Sequence, residues 1–300
     1  MNYVVAVDVG GTGIKAALVD ENLKVLAEIK RPTPNSDPSG RAVVDEIVSI
    51  VTEFSAQEKI SALGFAVPGA LDEVEGIAHW TGNLGWRELP IRALLQEKLD
   101  IPVTFGHDVR RAALAEMRSG AAKGANNAVF IPVGTGIAAA LIIDGEIRSS
   151  NGFAGEIGHI NVGFEHLCVC GKRGCLEAVA SALAIATSYK AKTGREASAK
   201  KVLELTKTGD FAAIEVWNDA TLALSRMVLI LTTLLAPEVI VLGGGVALAG
   251  SALVDPINAY LDSEITFQRR PRIELAKYGA EAGAIGNAIA ALDLLKGASA

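Results

Sequence analysis

The three cysteines of this 300-residue chain fall in one short run, Cys168-Val169-Cys170-Gly171-Lys172-Arg173-Gly174-Cys175. An odd number of thiols packed so closely is a poor disulfide framework and a good metal knuckle. Upstream, His159 completes a set of three thiolates and one imidazole, the donors of a closed tetrahedral Zn²⁺ site. A closed site has no room for bound water, which points to a structural ion. Gly171 and Gly174 supply the tight turns such a knuckle needs, and His166 is an alternative fourth donor. Glu156 precedes His159 by three residues, so on one helical turn the two share a face. Glu177 follows the last cysteine, and a bound metal would pin both carboxylates.

The second chemistry is phosphate binding. Gly11-Thr12-Gly13-Ile14-Lys15-Ala16-Ala17-Leu18-Val19 recurs as Gly134-Thr135-Gly136-Ile137-Ala138-Ala139-Ala140-Leu141-Ile142. Each copy follows an apolar, β-rich run. Both fit the loose G-x-G-x-x-A pattern of dinucleotide-binding folds, whose mechanism needs a helix to start at the second glycine. The residues that follow are instead β-rich, short and closed by a turn, so hairpins are expected. A tight glycine turn still exposes backbone N–H groups to a phosphate. No P-loop motif is present. The repetition suggests a duplicated domain closing over one nucleotide.

Around these turns stand further candidates. Asp8 ends the first strand, where a bare carboxylate would repel phosphates; it is read as holding Mg²⁺ through water, or else as capping the turn. Thr12 and Thr135 offer hydroxyl donors, and Lys15 either reaches the phosphates or is solvated. Gly243-Gly244-Gly245 ends a buried strand before a helix, as a tight turn or a close approach to a ligand. Asp108 sits between a strand and a helix, a common N-cap position.

Strands are expected at 3–7, 16–19, 24–29, 60–67, 103–105, from about 128, and at 239–242. Helices are expected at 41–57, 91–99, 109–119, 181–189, 198–206, 210–235 and 280–295. A loop is expected at 32–40 and a frayed tail at 297–300. Ser198 and Asp210 are suitable N-caps, and Asp144-Gly145 signals a type I′ hairpin turn. This alternation indicates α/β architecture with mixed sheets.

Composition narrows the partners. Half of the residues are hydrophobic, and the formal net charge is −6. Without a Lys/Arg block, nucleic-acid binding by counterion release is disfavoured. The chain opens on a strand without signal-peptide regions, and no apolar run reaches the ~18 residues of a membrane span. A cytoplasmic protein without membrane or nucleic-acid partners is expected.

Asp8-Val9-Gly10-Gly11-Thr12-Gly13-Ile14-Lys15, the Gly134-Thr135-Gly136 turn and Val241-Leu242-Gly243-Gly244-Gly245-Val246-Ala247 resemble actin/hexokinase-type ATPase motifs. Together with Glu156-Ile157-Gly158-His159 and the run from Cys168 to Glu177, they resemble the ROK family of bacterial sugar kinases and sugar-responsive repressors. The resemblance covers nearly the whole chain, and the cysteine knuckle is its most specific part. It implies an α/β, two-domain actin-like ATPase (ribonuclease H-like) fold with mixed sheets flanked by helices. A small lobe of 1–112 plus 283–300 and a large lobe of 113–282 with the knuckle would close over ATP·Mg²⁺ and a hexose. Asp108 would be the general base, and Gly243, Gly244 and Gly245 would pack against adenosine. Glu156, His159 and Glu177 would bind sugar hydroxyls, with Asn83 and Gly69 as less specific contacts; Trp86 could equally be core.

The chain departs from the family at His107, where an Asn that touches the sugar is usual, and at Ala138, where Gly is frequent. The stretch between His159 and Cys168 is slightly short. Glucose phosphorylated at its 6-hydroxyl is the expected reaction and a homodimer the expected assembly. The alternatives are an N-acylhexosamine kinase (N-acetylmannosamine or N-acetylglucosamine), a sugar-binding relic without activity and polyphosphate as donor. A repressor is disfavoured by the two residues ahead of Tyr3 and the acidic charge, and a NAD-dependent dehydrogenase by the hairpins.

Overall fold

The computed structural model describes residues 1–34 and 37–297. Positions 35 and 36 of the expected loop and residues 298–300 of the expected tail lie outside them. Two compact units divide the chain. One comprises Met1–Arg118, Ser149–Phe153 and Ala280–Ala300; the other comprises Ser119–Arg148 and Ala154–Gly279.

In the first unit, β1 (Tyr3–Val9), β2 (Gly13–Asp20) and β3 (Val25–Pro32) run antiparallel. Their connections are too short for a crossover. The Asp20 carboxylate closes the second turn by accepting from the N–H groups of Asn22 and Lys24. β4 (Ile60–Val67) and β8 (Val103–His107) add parallel strands, giving the order β3-β2-β1-β4-β8. The strand period of two sorts β1 between two layers. Val5, Val7 and Val9 join the core that includes α1 (Arg41–Ser55) and α2 (Ile91–Gln96), while Val4 and Ala6 meet Ala288 and Ala291 of α10 (Ala282–Leu295). Gly64 allows that second packing, since a Cβ there would lie 2.1 Å from the Asn287 carbonyl oxygen. A three-stranded antiparallel sheet of β5 (Ala70–Asp72), β6 (Ile77–Thr81) and β7 (Trp86–Leu89) was not expected from sequence. α3 (Asp108–Ser119) follows β8 directly.

The second unit repeats the scheme. β9 (Ala128–Pro132), β10 (Ala140–Ile143) and β11 (Glu146–Arg148) are antiparallel, and β12 (Val239–Gly243) and β13 (Arg272–Leu275) add in parallel, in the order β11-β10-β9-β12-β13. Asp144 and Gly145 form the two-residue β10–β11 turn with φ of 56° and 77°, as a type I′ turn requires. The helices are α4 (Glu177–Ala180), α5 (Ala182–Thr193), α6 (Ala199–Thr206), α7 (Phe211–Leu235), α8 (Gly244–Ala247) and α9 (Ser251–Glu264). Side chains of Ser181, Ser198 and Asp210 cap α5, α6 and α7 by accepting from backbone N–H groups. α4, α9 and β13 were not anticipated. Against the expectation that no run would suffice, α7 is long and apolar enough by length and composition to cross a membrane. Half of its most apolar window is buried, however, and it supplies much of this unit's core against α4, α5, α6 and α9.

Candidate active site

Neither glycine turn launches a helix. In the first unit the Gly10 N–H donates to the Gly13 carbonyl at 2.9 Å, and β2 begins at Gly13. Thr33, which sequence reading did not single out, braces the turn by donating its hydroxyl to the Gly10 carbonyl at 2.6 Å. Asn83 packs on the same turn, because a Cβ on Gly11 would lie 2.8 Å from its Cβ. The β1–β2 register sets Asp8 opposite Lys15. Burial first and the Asp108 charge second push the Asp8 carboxyl up to about 6, with Lys15 opposing. A cation beside Asp8 would relieve both the burial cost and the repulsion. A Cβ on Gly283 would lie 3.2 Å from Asp8 Oδ2, so α10 closes on that carboxylate without a side chain.

Asp108 is the first residue of α3 rather than its cap. Its Oδ1 accepts from the Val109 N–H at 2.7 Å. Burial raises its carboxyl, which the Val109 N–H and Arg110 partly oppose. His107 Nδ1 lies 3.0 Å from that oxygen and accepts from the Val109 N–H at 3.2 Å. Burial first and Arg110 second push the His107 imidazole down to about 3, so it is neutral. Beneath them, Glu73 accepts from the His107 backbone N–H at 3.1 Å and from Arg110 Nε at 2.5 Å. Sequence reading missed this pair. Gly69 has a φ of 123°, and a Cβ there would lie 2.2 Å from the Trp80 carbonyl oxygen, so its glycine is required by the backbone. Trp86 is 1% exposed and belongs to the core.

In the second unit the Gly134 N–H donates to the Gly136 carbonyl at 3.0 Å, the same turn again. The triple-glycine segment is sewn to Val133, the residue before this turn. The Val133 N–H donates to the Gly243 carbonyl at 2.9 Å and the Val246 N–H to the Val133 carbonyl at 3.0 Å. Gly244 has a φ of 77° and lies against the Val133 backbone; with Gly245 it is exposed, as is Thr135. Glu156 and His159 ride on a single 3₁₀ turn, Ile157–His159. Gly158 lets that turn sit on the glycine loop, since a Cβ there would lie 2.2 Å from the Ile137 carbonyl oxygen. Glu177, expected to serve a sugar, accepts the Ile137 N–H at 2.8 Å through Oε2.

The donor atoms of His159, Cys168, Cys170 and Cys175 all lie within 4.8 Å of one another. Cys168 Sγ is 3.6 Å from His159 Nδ1, and Cys170 Sγ is 3.7 Å from Cys175 Sγ. His166 lies outside the group. Burial first, and then the neighbouring thiols, push Cys175 up to about 12. A cation that displaces thiol protons relieves that crowding, and the donor chemistry suits a closed tetrahedral ion.

The model of the ROK family matches residues 4–293. The chain belongs to the ROK family. It is 33% identical to a glucokinase of Halalkalibacterium halodurans, over 95% of this chain and 93% of that one. The ROK hexokinase of Thermus thermophilus superposes with a TM-score of 0.82 at 31% identity, covering 98% of this chain and 99% of that one. A ROK glucokinase of Streptomyces griseus, solved with glucose and AMPPNP, superposes with a TM-score of 0.82 at 28% identity, covering 97% and 99%. The fold is therefore the two-domain α/β actin-like ATPase fold of ROK sugar kinases, as the paired mixed sheets indicate.

Proposed function

We propose that this ROK-family chain, an ATP-dependent sugar kinase, phosphorylates a hexose and prefers glucose at its 6-hydroxyl. The observation that carries the reading is Asp108, a carboxylate raised by burial at the head of α3, in the same unit as a phosphate-type glycine turn and a second acid, Asp8. Asp108 accepts the proton of the attacking hydroxyl as that oxygen bonds to the γ-phosphorus and the bond to ADP breaks. Such a base assists a reaction that depends mostly on positioning and neutralisation of charge. Asp8 would hold Mg²⁺, which neutralises phosphate charge. The turns that the Gly10 and Gly134 N–H groups close would turn the backbone of Gly11, Thr12 and Gly13 and of Thr135 and Gly136 towards phosphate oxygens, with Lys15 adding charge. Exposed Gly244 and Gly245 would leave a surface without side chains for adenosine, with buried Gly243 against the Phe130 ring behind them.

Glu156, His159 and Glu177, with Asn83, Gly69 and His107, would receive the sugar. Neutral His107 replaces an amide with an imidazole at a sugar-contact position, which keeps an N-acylhexosamine as the second reading. The deciding measurement is ADP release across glucose, other hexoses and N-acylhexosamines, with ATP and polyphosphate as donors. Highest kcat/KM on glucose supports the proposal; a higher value on an N-acylhexosamine replaces glucose, and no turnover on any sugar removes the kinase reading.

The knuckle would hold structural Zn²⁺ through His159, Cys168, Cys170 and Cys175. Elemental analysis of the purified protein should find about one zinc per chain. A chelator that strips it should lower the melting temperature, and metal-free protein of unchanged stability would rule the site out.

A further inference from the structure

α4 is attached to the second glycine turn at both ends. At its start, Glu177 Oε2 accepts the Ile137 N–H at 2.8 Å. Just past its end, the Ala182 N–H donates to the Gly134 carbonyl at 2.8 Å. The four residues of α4 thus span the turn as a buckle. Gly136 accommodates the carboxylate, because a Cβ there would lie 2.6 Å from Glu177 Oε2. Gly158 packs on the same side chain, its would-be Cβ lying 3.4 Å from the Glu177 Cβ. Behind Glu177 the chain runs directly into the knuckle: the Leu176 N–H donates to the Ile160 carbonyl at 3.0 Å, and Cys175 bridges to Asn161. A cavity of about 220 Å³ is lined by Thr135, Cys168, Glu177 and Ser181, so turn and knuckle share a wall.

We propose that Glu177 is a positioning residue for the nucleotide phosphates as well as a sugar ligand. One carboxylate oxygen fixes the Ile137 N–H and so holds Gly134–Gly136 in its phosphate-receiving shape; the other oxygen remains for a hydroxyl. This inference rests on the nucleotide-binding part of the kinase reading. A carboxylate that served the sugar alone would leave nucleotide binding untouched in sugar-free protein.

The test is calorimetric titration of a non-hydrolysable ATP analogue with Mg²⁺, without sugar, into the wild type, Glu177→Ala, Glu177→Gln and Glu156→Gln. Glu177→Ala removes a charge-assisted acceptor and should weaken binding roughly tenfold. Glu177→Gln keeps an acceptor oxygen and should recover most of that loss, and Glu156→Gln should bind as the wild type does. Amide exchange at Ile137 should accelerate in Glu177→Ala. If Glu177→Ala does not fold, Glu177→Ser, whose hydroxyl is too short to reach the Ile137 N–H, replaces it with the same expected loss. Wild-type affinity and unchanged Ile137 exchange in the Glu177 variants would overturn the proposal. A wild type that binds the analogue but phosphorylates no sugar would instead sink the kinase reading and leave the buckle standing.

Discussion

Asp108→Asn is expected to lower kcat by roughly 10²- to 10⁴-fold, with the sugar KM changed only a few-fold. Asparagine keeps the shape and the acceptor for the Val109 N–H, so α3 should start unchanged; what it lacks is basicity. The same substitution should remove a limb of the pH profile. Burial raises the Asp108 carboxyl, so the ionised base forms at higher pH than for an exposed aspartate. Activity should therefore be full above that raised value and fall as pH drops through it. In Asp108→Asn the residual rate should lose this dependence. Retained wild-type turnover would remove Asp108 as the base. Because Glu73 and Arg110 hold the β8–α3 junction from beneath, the geometry that makes Asp108 a base has its support in the fold.

The hairpins were legible because each glycine turn is followed by a short apolar, β-rich run closed by a turn, with no helix signal, and because Asp144-Gly145 dictates its own turn. The caps at Ser198 and Asp210 were legible for the same local reason. β5, β6 and β7 were not. Each holds three to five residues, and the Asp72 carboxylate closes a turn between the first two by accepting from the Val74 and Glu75 N–H groups. Pairing of such short strands is set by what they pack on, not by period. α9 was hidden by Pro256, which lies inside the helix although proline usually ends one. At the site, residue types announced Asp8 and the knuckle, whereas Asp108 read as a cap until the family resemblance pointed to a base. The Glu73–Arg110 pair joins residues 37 apart and belongs to no motif; the one available hint was two adjacent arginines, Arg110 and Arg111, on the buried face of α3. The engagement of Glu177 with Ile137 had a fainter signal, Gly136, where any side chain would meet that carboxylate.

Asp8→Asn should show the conflict between function and stability. Loss of the carboxylate that would hold Mg²⁺ removes an interaction worth several kcal/mol in such sites, so kcat/KM for ATP should fall on the order of 10²- to 10³-fold. Yet the metal-free variant should be the more stable protein. In the folded chain Asp8 is raised from 3.8 to about 6, so the fold favours its protonated form. That preference supports stability below about pH 4 and is lost as pH rises through about 6. Above pH 6 the wild type carries a crowded charge beside Asp108, and asparagine does not. A shift of this size corresponds to at most about 3 kcal/mol; since Asp8 stays partly exposed, about 1–2 kcal/mol is expected. Melting curves without added Mg²⁺ should therefore place Asp8→Asn above the wild type at pH 8, with the gap closing towards pH 4. Added Mg²⁺ and nucleotide should raise the wild type and not the variant. Equal melting temperatures at both pH values would mean that neither burial nor the Asp108 charge penalises the ionised Asp8 carboxylate, and the cation site proposed there would lose its support.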